Sequence, residues 1–135
     1  MDHIHDIWIM QNTGIVLFNY GEKNSVDPQL FGGLMSAINT FAESLSKGGL
    51  QSFEVRERRY TITNRQSLTF VVSSNKAVKK KQVHKELEKI SDTFITKYAK
   101  QIKHFDGAVD QFSGFEEELL KDSVSSLGKL KKAFW

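Results

Sequence analysis

Apolar positions gather early into two runs, residues 4–10 (IHDIWIM) and 15–20 (IVLFNY), split by the turn residues Asn12, Thr13 and Gly14. Both runs are more continuously apolar than alternating. That pattern belongs to strands covered on both faces, so at least one helical layer is predicted over this hairpin. Asp27 followed by Pro28 then marks a helix start, with a side-chain acceptor at the cap and a ring whose φ is already helical. Phe31, Leu34, Met35, Ile38, Phe41, Ala42 and Leu45 recur at helical spacing and predict one buried face, with Asn39, Glu43 and Ser46 opposite. Lys47-Gly48-Gly49 predicts the stop.

From Leu50 to Asn75 the period changes to two. Phe53 and Val55, then Tyr60 and Ile62, alternate with polar residues, while Leu68, Phe70, Val71 and Val72 are apolar on both faces. The breaks are short, so a three-stranded antiparallel meander is predicted, its last strand central and its first two nearer an edge. Val83, Leu87, Ile90, Phe94, Tyr98, Ile102 and Phe105 predict a long second helix, closed near Asp106-Gly107. A third is predicted from Ser113, where Ser113 and Glu116 have capping-box spacing, with a stripe of Phe115, Leu119, Leu120, Val124, Leu127 and Phe134 and an interruption at Gly128. The order β-β-α-β-β-β-α-α defines an α+β class, a five-stranded antiparallel sheet sandwiched by helices.

The chain has 135 residues, which fits one domain over 1–135, and a core is affordable with ten Phe and two Trp. No cysteine occurs, which excludes a disulfide framework, a thiolate nucleophile and thiolate-bound metal. No apolar run is long enough to span a bilayer, and the acids and histidines at the start do not suit a signal peptide, so a cytoplasmic location is expected. The histidines raise a metal question. On a strand His3 and His5 share a face, but Asp6 points the other way, and further ligands from His84 or His104 would sit among lysines. The strand reading is preferred, and no metal or cofactor is expected.

Enzyme motifs are equally thin. Gly32-Gly33 and Gly48-Gly49 are pairs without the spacing of a phosphate cradle, and the first is expected to permit close helix–sheet approach. No G-x-S-x-G elbow occurs. Glu116, Glu117 and Glu118 complement a helix dipole, and nothing nearby in sequence would shift their pKa values for catalysis. A non-enzyme is expected, with no catalytic residues.

Charge changes the picture more than motif does. Net charge is only +3, but residues 76–105 hold nine lysines against three acids. Such a run reads either as a solvated helix face or as a surface for an acidic partner, protein or anionic membrane. Nucleic acid is not expected, since Phe94, Tyr98 and Phe105 belong to the buried stripe and leave no stacking aromatics among the lysines. Arg56, Arg58, Arg59 and Arg65 form a second basic cluster, which could also guard an edge strand. LGKLKKAFW at 127–135 is amphipathic and basic, so 123–135 reads as an extension that packs onto the body or lies on a membrane. The candidate partner-binding residues are Arg56, Arg58, Arg59, Lys79, Lys80, Lys81, Lys129, Lys131 and Lys132.

The hairpin DIWIMQNTGIVLFNYG, the helix DPQLFGGLMSAINTFAESL, the meander SFEVRERRYTITNRQSLTFVVSSN, and TFITKYAKQI with FSGFEEELL together resemble the longin, or SNARE-like, domain over about residues 4–122. The related roadblock fold shares the hairpin and helix, but its chains normally begin with a helix, and none fits ahead of Ile4. The resemblance implies a non-catalytic scaffold of vesicle traffic or protein targeting. Its partner would be a small GTPase or a second longin-type subunit, and a homodimer is one form of that pairing. It matches no SNARE helix or tail anchor here, and it transfers no GTPase-contact residue. The contact is expected at an exposed sheet edge or on the face of the first helix.

Overall fold

The computed structural model describes residues 4–21, 27–47 and 49–121. Strand β1 (Ile4–Gln11) turns through Gly14, at φ 103°, into β2 (Val16–Tyr20). Helix α1 (Pro28–Leu45) follows, then β3 (Ser52–Val55), β4 (Arg58–Arg65) and β5 (Leu68–Asn75). Helix α2 (Lys80–Lys103), a 3-10 turn (Val109–Phe112) and α3 (Phe115–Lys121) complete it. The five strands form one antiparallel sheet in the order β2-β1-β5-β4-β3. The α+β reading holds, and β5 is the middle strand as its two-faced apolar run requires.

Alternation along the central strands sorts the core into two layers. Ile7, Ile9, Phe70 and Val72 face α2, α3 and the 3-10 turn, where Phe94, Phe112 and Phe115 are fully buried. Trp8, Met10, Ile62 and Val71 face α1, and Trp8 stacks on Phe31 with ring centroids 4.0 Å apart. Each such side chain stabilises the fold by roughly 1.5–3 kcal/mol when withdrawn from water. Trp8 and Phe18 are 2% and 7% exposed, so the opening hairpin is interior.

The cap of α1 forms as its sequence dictates: the Asp27 carboxylate accepts from the backbone N–H groups of Gln29 (2.9 Å) and Leu30 (3.2 Å). The helix then docks along the β1–β2 hairpin. A Cβ on Gly32 would overlap the Gly14 carbonyl oxygen, and the Ser36 hydroxyl donates to the Asn12 carbonyl at 2.8 Å. Gly32 is thus the glycine that permits close approach; Gly33 faces open space.

One expectation about α1 fails. Phe31 and Met35 are buried and Ile38 and Ala42 half-buried, but Leu34, Phe41 and Leu45 are 57%, 66% and 73% exposed. At 100° per residue the inward four span about 60° of the helix circumference, and the exposed three lie about 60° further round. The apolar stripe is wider than the face the sheet can cover.

α2 buries the stripe that its period marks, from Val83 to Tyr98, and kinks at Tyr98, whose φ and ψ are −113° and 23°. The third helix starts later than its capping-box spacing suggests. Ser113 instead closes the 3-10 turn, its N–H donating to the Asp110 carbonyl at 3.1 Å, and α3 begins at Phe115. Buried Phe112 and Phe115 pull the chain through that extra turn onto Phe94 and Tyr98. Val124, Leu127, Gly128 and Phe134 lie outside the described residues.

Candidate functional site

The outer side of α1 and the free edge of β3 together make the most conspicuous surface. Leu30, Leu34, Phe41 and Leu45 are exposed along α1, and Val55 is exposed on β3. Gln29, Gly32 and Ser36, which touch the hairpin, occupy the opposite flank of the helix. The exposed leucines and Phe41 therefore lie on the side of α1 turned away from its contacts with the hairpin. Asn39 ties the C-terminal half of α1 to the chain entering β3, its Oδ1 accepting from the Leu50 N–H at 3.4 Å. In the core layer under α1, Phe53 stacks on Tyr60 with centroids 4.8 Å apart. Between the large side chains α1 exposes Gly33 and Ala37, which leave room for another backbone to come close.

The two sheet edges differ. The Ile62 N–H donates to the Gln51 carbonyl at 2.9 Å, so by antiparallel alternation Phe53 and Val55 also bond toward β4. The backbone N–H and C=O of Ser52 and Glu54 consequently point outward, and among the described residues nothing bonds to them. At the other edge the Gln11 N–H donates to the Ile15 carbonyl (2.8 Å), which turns the peptide groups of Val16 outward. Here the Gln29 carboxamide takes both: its Oε1 accepts from the Val16 N–H at 2.9 Å, and its Nε2 donates to the Val16 carbonyl at 3.0 Å.

The basic residues singled out in the sequence do not converge. Arg59 is 7% exposed; its guanidinium meets the Glu54 carboxylate (3.2 Å) and donates to the carbonyls of Val78 (2.9 Å) and Lys76 (2.7 Å). It stitches the β3–β4 hairpin to the turn before α2. Arg58 pairs with buried Asp6 at 3.2 Å, and Asp6 also accepts from the Ser73 hydroxyl at 2.6 Å. Arg65 bonds Ser91 and Asp92 on α2. Arg56 is exposed in the β3–β4 turn at φ 55°. Lys79, Lys80 and Lys81 are exposed at the start of α2, on the other face of the sheet from α1. Lys129, Lys131 and Lys132 lie outside the described residues.

Groups suited to chemistry are scarce. His3 lies outside the described residues, and among those described no cluster of three or more His, Asp or Glu could hold a metal ion. A groove of about 470 Å³ between α2 and α3 is lined by Asp92, Thr93, Thr96, Lys97 and Glu118. Its Lys97 and Glu118 already pair at 3.3 Å. Burial pushes the Tyr98 phenol above its ordinary value; Lys97 opposes that and Glu118 adds to it. Burial does the same to Tyr20, with Glu116 adding to it. Both phenols are thereby made harder to deprotonate. No described helix is long and apolar enough to cross a membrane.

A five-stranded antiparallel sheet between one helix on one face and two on the other is the fold shared by roadblock and longin-like domains. Solved structures similar to this chain include one that carries the roadblock description. It is a roadblock/LC7 domain from Streptomyces avermitilis, with TM-score 0.60 and 11% identity over 72% of this chain and 86% of that one. Another is Myxococcus xanthus MglB, with TM-score 0.58 and 14% identity over 71% and 84%. The leading helix expected of roadblock chains is therefore no ground for preferring longin over roadblock. No protein-family model and no curated protein matches the sequence.

Proposed function

We propose that the protein is a non-catalytic interaction module that pairs through α1 and β3, with a second copy of itself or a second subunit of the same fold, and engages a small GTPase in membrane traffic or protein targeting. The carrying observations are the exposed apolar flank of α1 and the unpaired edge of β3. Two-fold pairing suits such a surface, because the same leucines and the same outward peptide groups serve on both sides. Each flank residue buried there contributes roughly 1.5–3 kcal/mol before the costs of association are subtracted. The outward N–H and C=O of Ser52 and Glu54 would continue the sheet into the partner. The GTPase rests on the longin resemblance of the sequence, which the shared fold supports at the level of architecture.

Sedimentation velocity tests the pairing. The wild-type chain is expected to sediment as two copies at micromolar concentration, and Phe41→Glu as one, because a carboxylate in that seam would be buried without a partner. A wild-type monomer that also fails to retain any GTPase, in either nucleotide state, overturns the reading.

A second reading, attachment to an anionic membrane surface, draws on the outward side of α2. Lys80, Lys81, Lys85, Lys97, Lys100 and Lys103 are exposed there, and only Lys97 has a described carboxylate partner.

A further inference from the structure

We infer that Gln29 seals the β2 edge of the sheet, confining strand addition to β3, so that assembly closes at two copies instead of growing into a chain. A residue whose backbone faces outward at a sheet edge offers one donor, its N–H, and one acceptor, its C=O, and a neighbouring strand satisfies both. The Gln29 carboxamide carries the same two functions, and it meets the outward N–H and C=O of Val16 at 2.9 and 3.0 Å. One side chain thus takes the place that an incoming strand would need.

Three features hold it there. The Asp27 cap accepts from the Gln29 backbone N–H, fixing where the helix begins. The Gly32–Gly14 contact sets how closely α1 approaches the hairpin. Asp27-Pro28 places Gln29 in the first turn, where a side chain can reach back past the helix end. The 3-10 turn Val109–Phe112 packs against β2 from the opposite layer, so the edge is flanked on both sides.

The consequence is one of symmetry. A sheet with two open edges can add copies head to tail without limit, whereas one open edge permits only a closed, two-fold contact. β3 is open at Ser52 and Glu54; β2 is blocked at Val16, where an added strand would begin, and alternation leaves the peptide groups of Asn19 facing outward at its far end. The seal itself is independent of whether β3 is used, but closure at two copies rests on the pairing proposed above.

Gln29→Ala and Gln29→Glu separate the ideas, with far-UV circular dichroism confirming that α1 persists. Ala removes both bonds; Glu keeps an acceptor for the Val16 N–H but sets a charge against its carbonyl. Sedimentation velocity over a concentration series is expected to show the wild-type chain stopping at two copies, and Gln29→Ala forming species that exceed two and grow with concentration. Val16 amide exchange should quicken about tenfold in Gln29→Ala, the scale of a lost hydrogen bond, and less in Gln29→Glu. If wild type is monomeric but Gln29→Ala associates, the pairing reading fails and the seal stands. A Gln29→Ala chain no larger than wild type at every concentration overturns the seal, whatever Val16 does.

Discussion

A Cβ at position 32 would run into the Gly14 carbonyl and the Val16 side chain, while one at position 33 would meet nothing. The sequence presents the two glycines as an equivalent pair; only the docked hairpin distinguishes them. Gly32→Ala is therefore expected to destabilise the protein by about 1–3 kcal/mol, as overpacking does, because α1 must back away from the backbone it touches. Gly33→Ala is expected to stabilise it by about 0.5–1 kcal/mol, since a mid-helix glycine costs that much and no internal contact requires it. Denaturant unfolding at concentrations below self-association measures both, and equal effects at the two sites would contradict this account. Arg59 teaches the same lesson. In sequence it is one of four clustered arginines, yet its guanidinium holds three internal partners. Nothing local to the chain says that the carbonyls of Lys76 and Val78 arrive beside it.

Among the elements, α2 was the most legible, because its stripe is narrow enough to be buried from Val83 to Tyr98, with Ile102 half-buried. Its beginning is less well matched to helix physics. Lys79 occupies the N-cap without a capping bond, Lys80 and Lys81 follow, and no acid lies in the first turn. Cations there oppose the positive end of the helix dipole by about 0.3–1 kcal/mol each. Lys79→Ser supplies a cap and removes one charge, so the unfolding free energy should rise by about 1 kcal/mol. Chemical denaturation of that variant checks it; an unchanged or lower stability would mean that the lysine makes compensating contacts in the folded state. A gain would show that these lysines are kept for something other than stability. α1 was legible as a helix and misleading as a surface. Its period could not say that seven apolar positions divide into an inward set and an outward set.

At the level of the whole molecule, the sheet separates two unlike exteriors, apolar beyond α1 and basic beyond α2. Pairing through α1 and β3 leaves the α2 face outside, so the two readings of function are compatible in space and separable by experiment. On the membrane reading, vesicles containing anionic lipid should float the protein, salt should release it, and replacing Lys129, Lys131 and Lys132 by Ala should weaken retention several-fold. Equal retention by neutral vesicles, or none by anionic ones, removes that reading and leaves α1 and β3 untouched.

The sequence by itself determined the elements, their order and the α+β class, because the periods of 2 and 3.6 residues, a helix cap and turn residues are properties of neighbours along the chain. It also marked β1 and β5 as strands covered on both faces, since nothing else explains their unbroken apolar runs. The tertiary structure alone decided which flank of α1 faces water, which arginines are spent internally and which sheet edge is free. Each of those depends on where residues remote in sequence come to lie: Gly14 under Gly32, the carbonyls before α2 beside Arg59, and Gln29 across the end of β2.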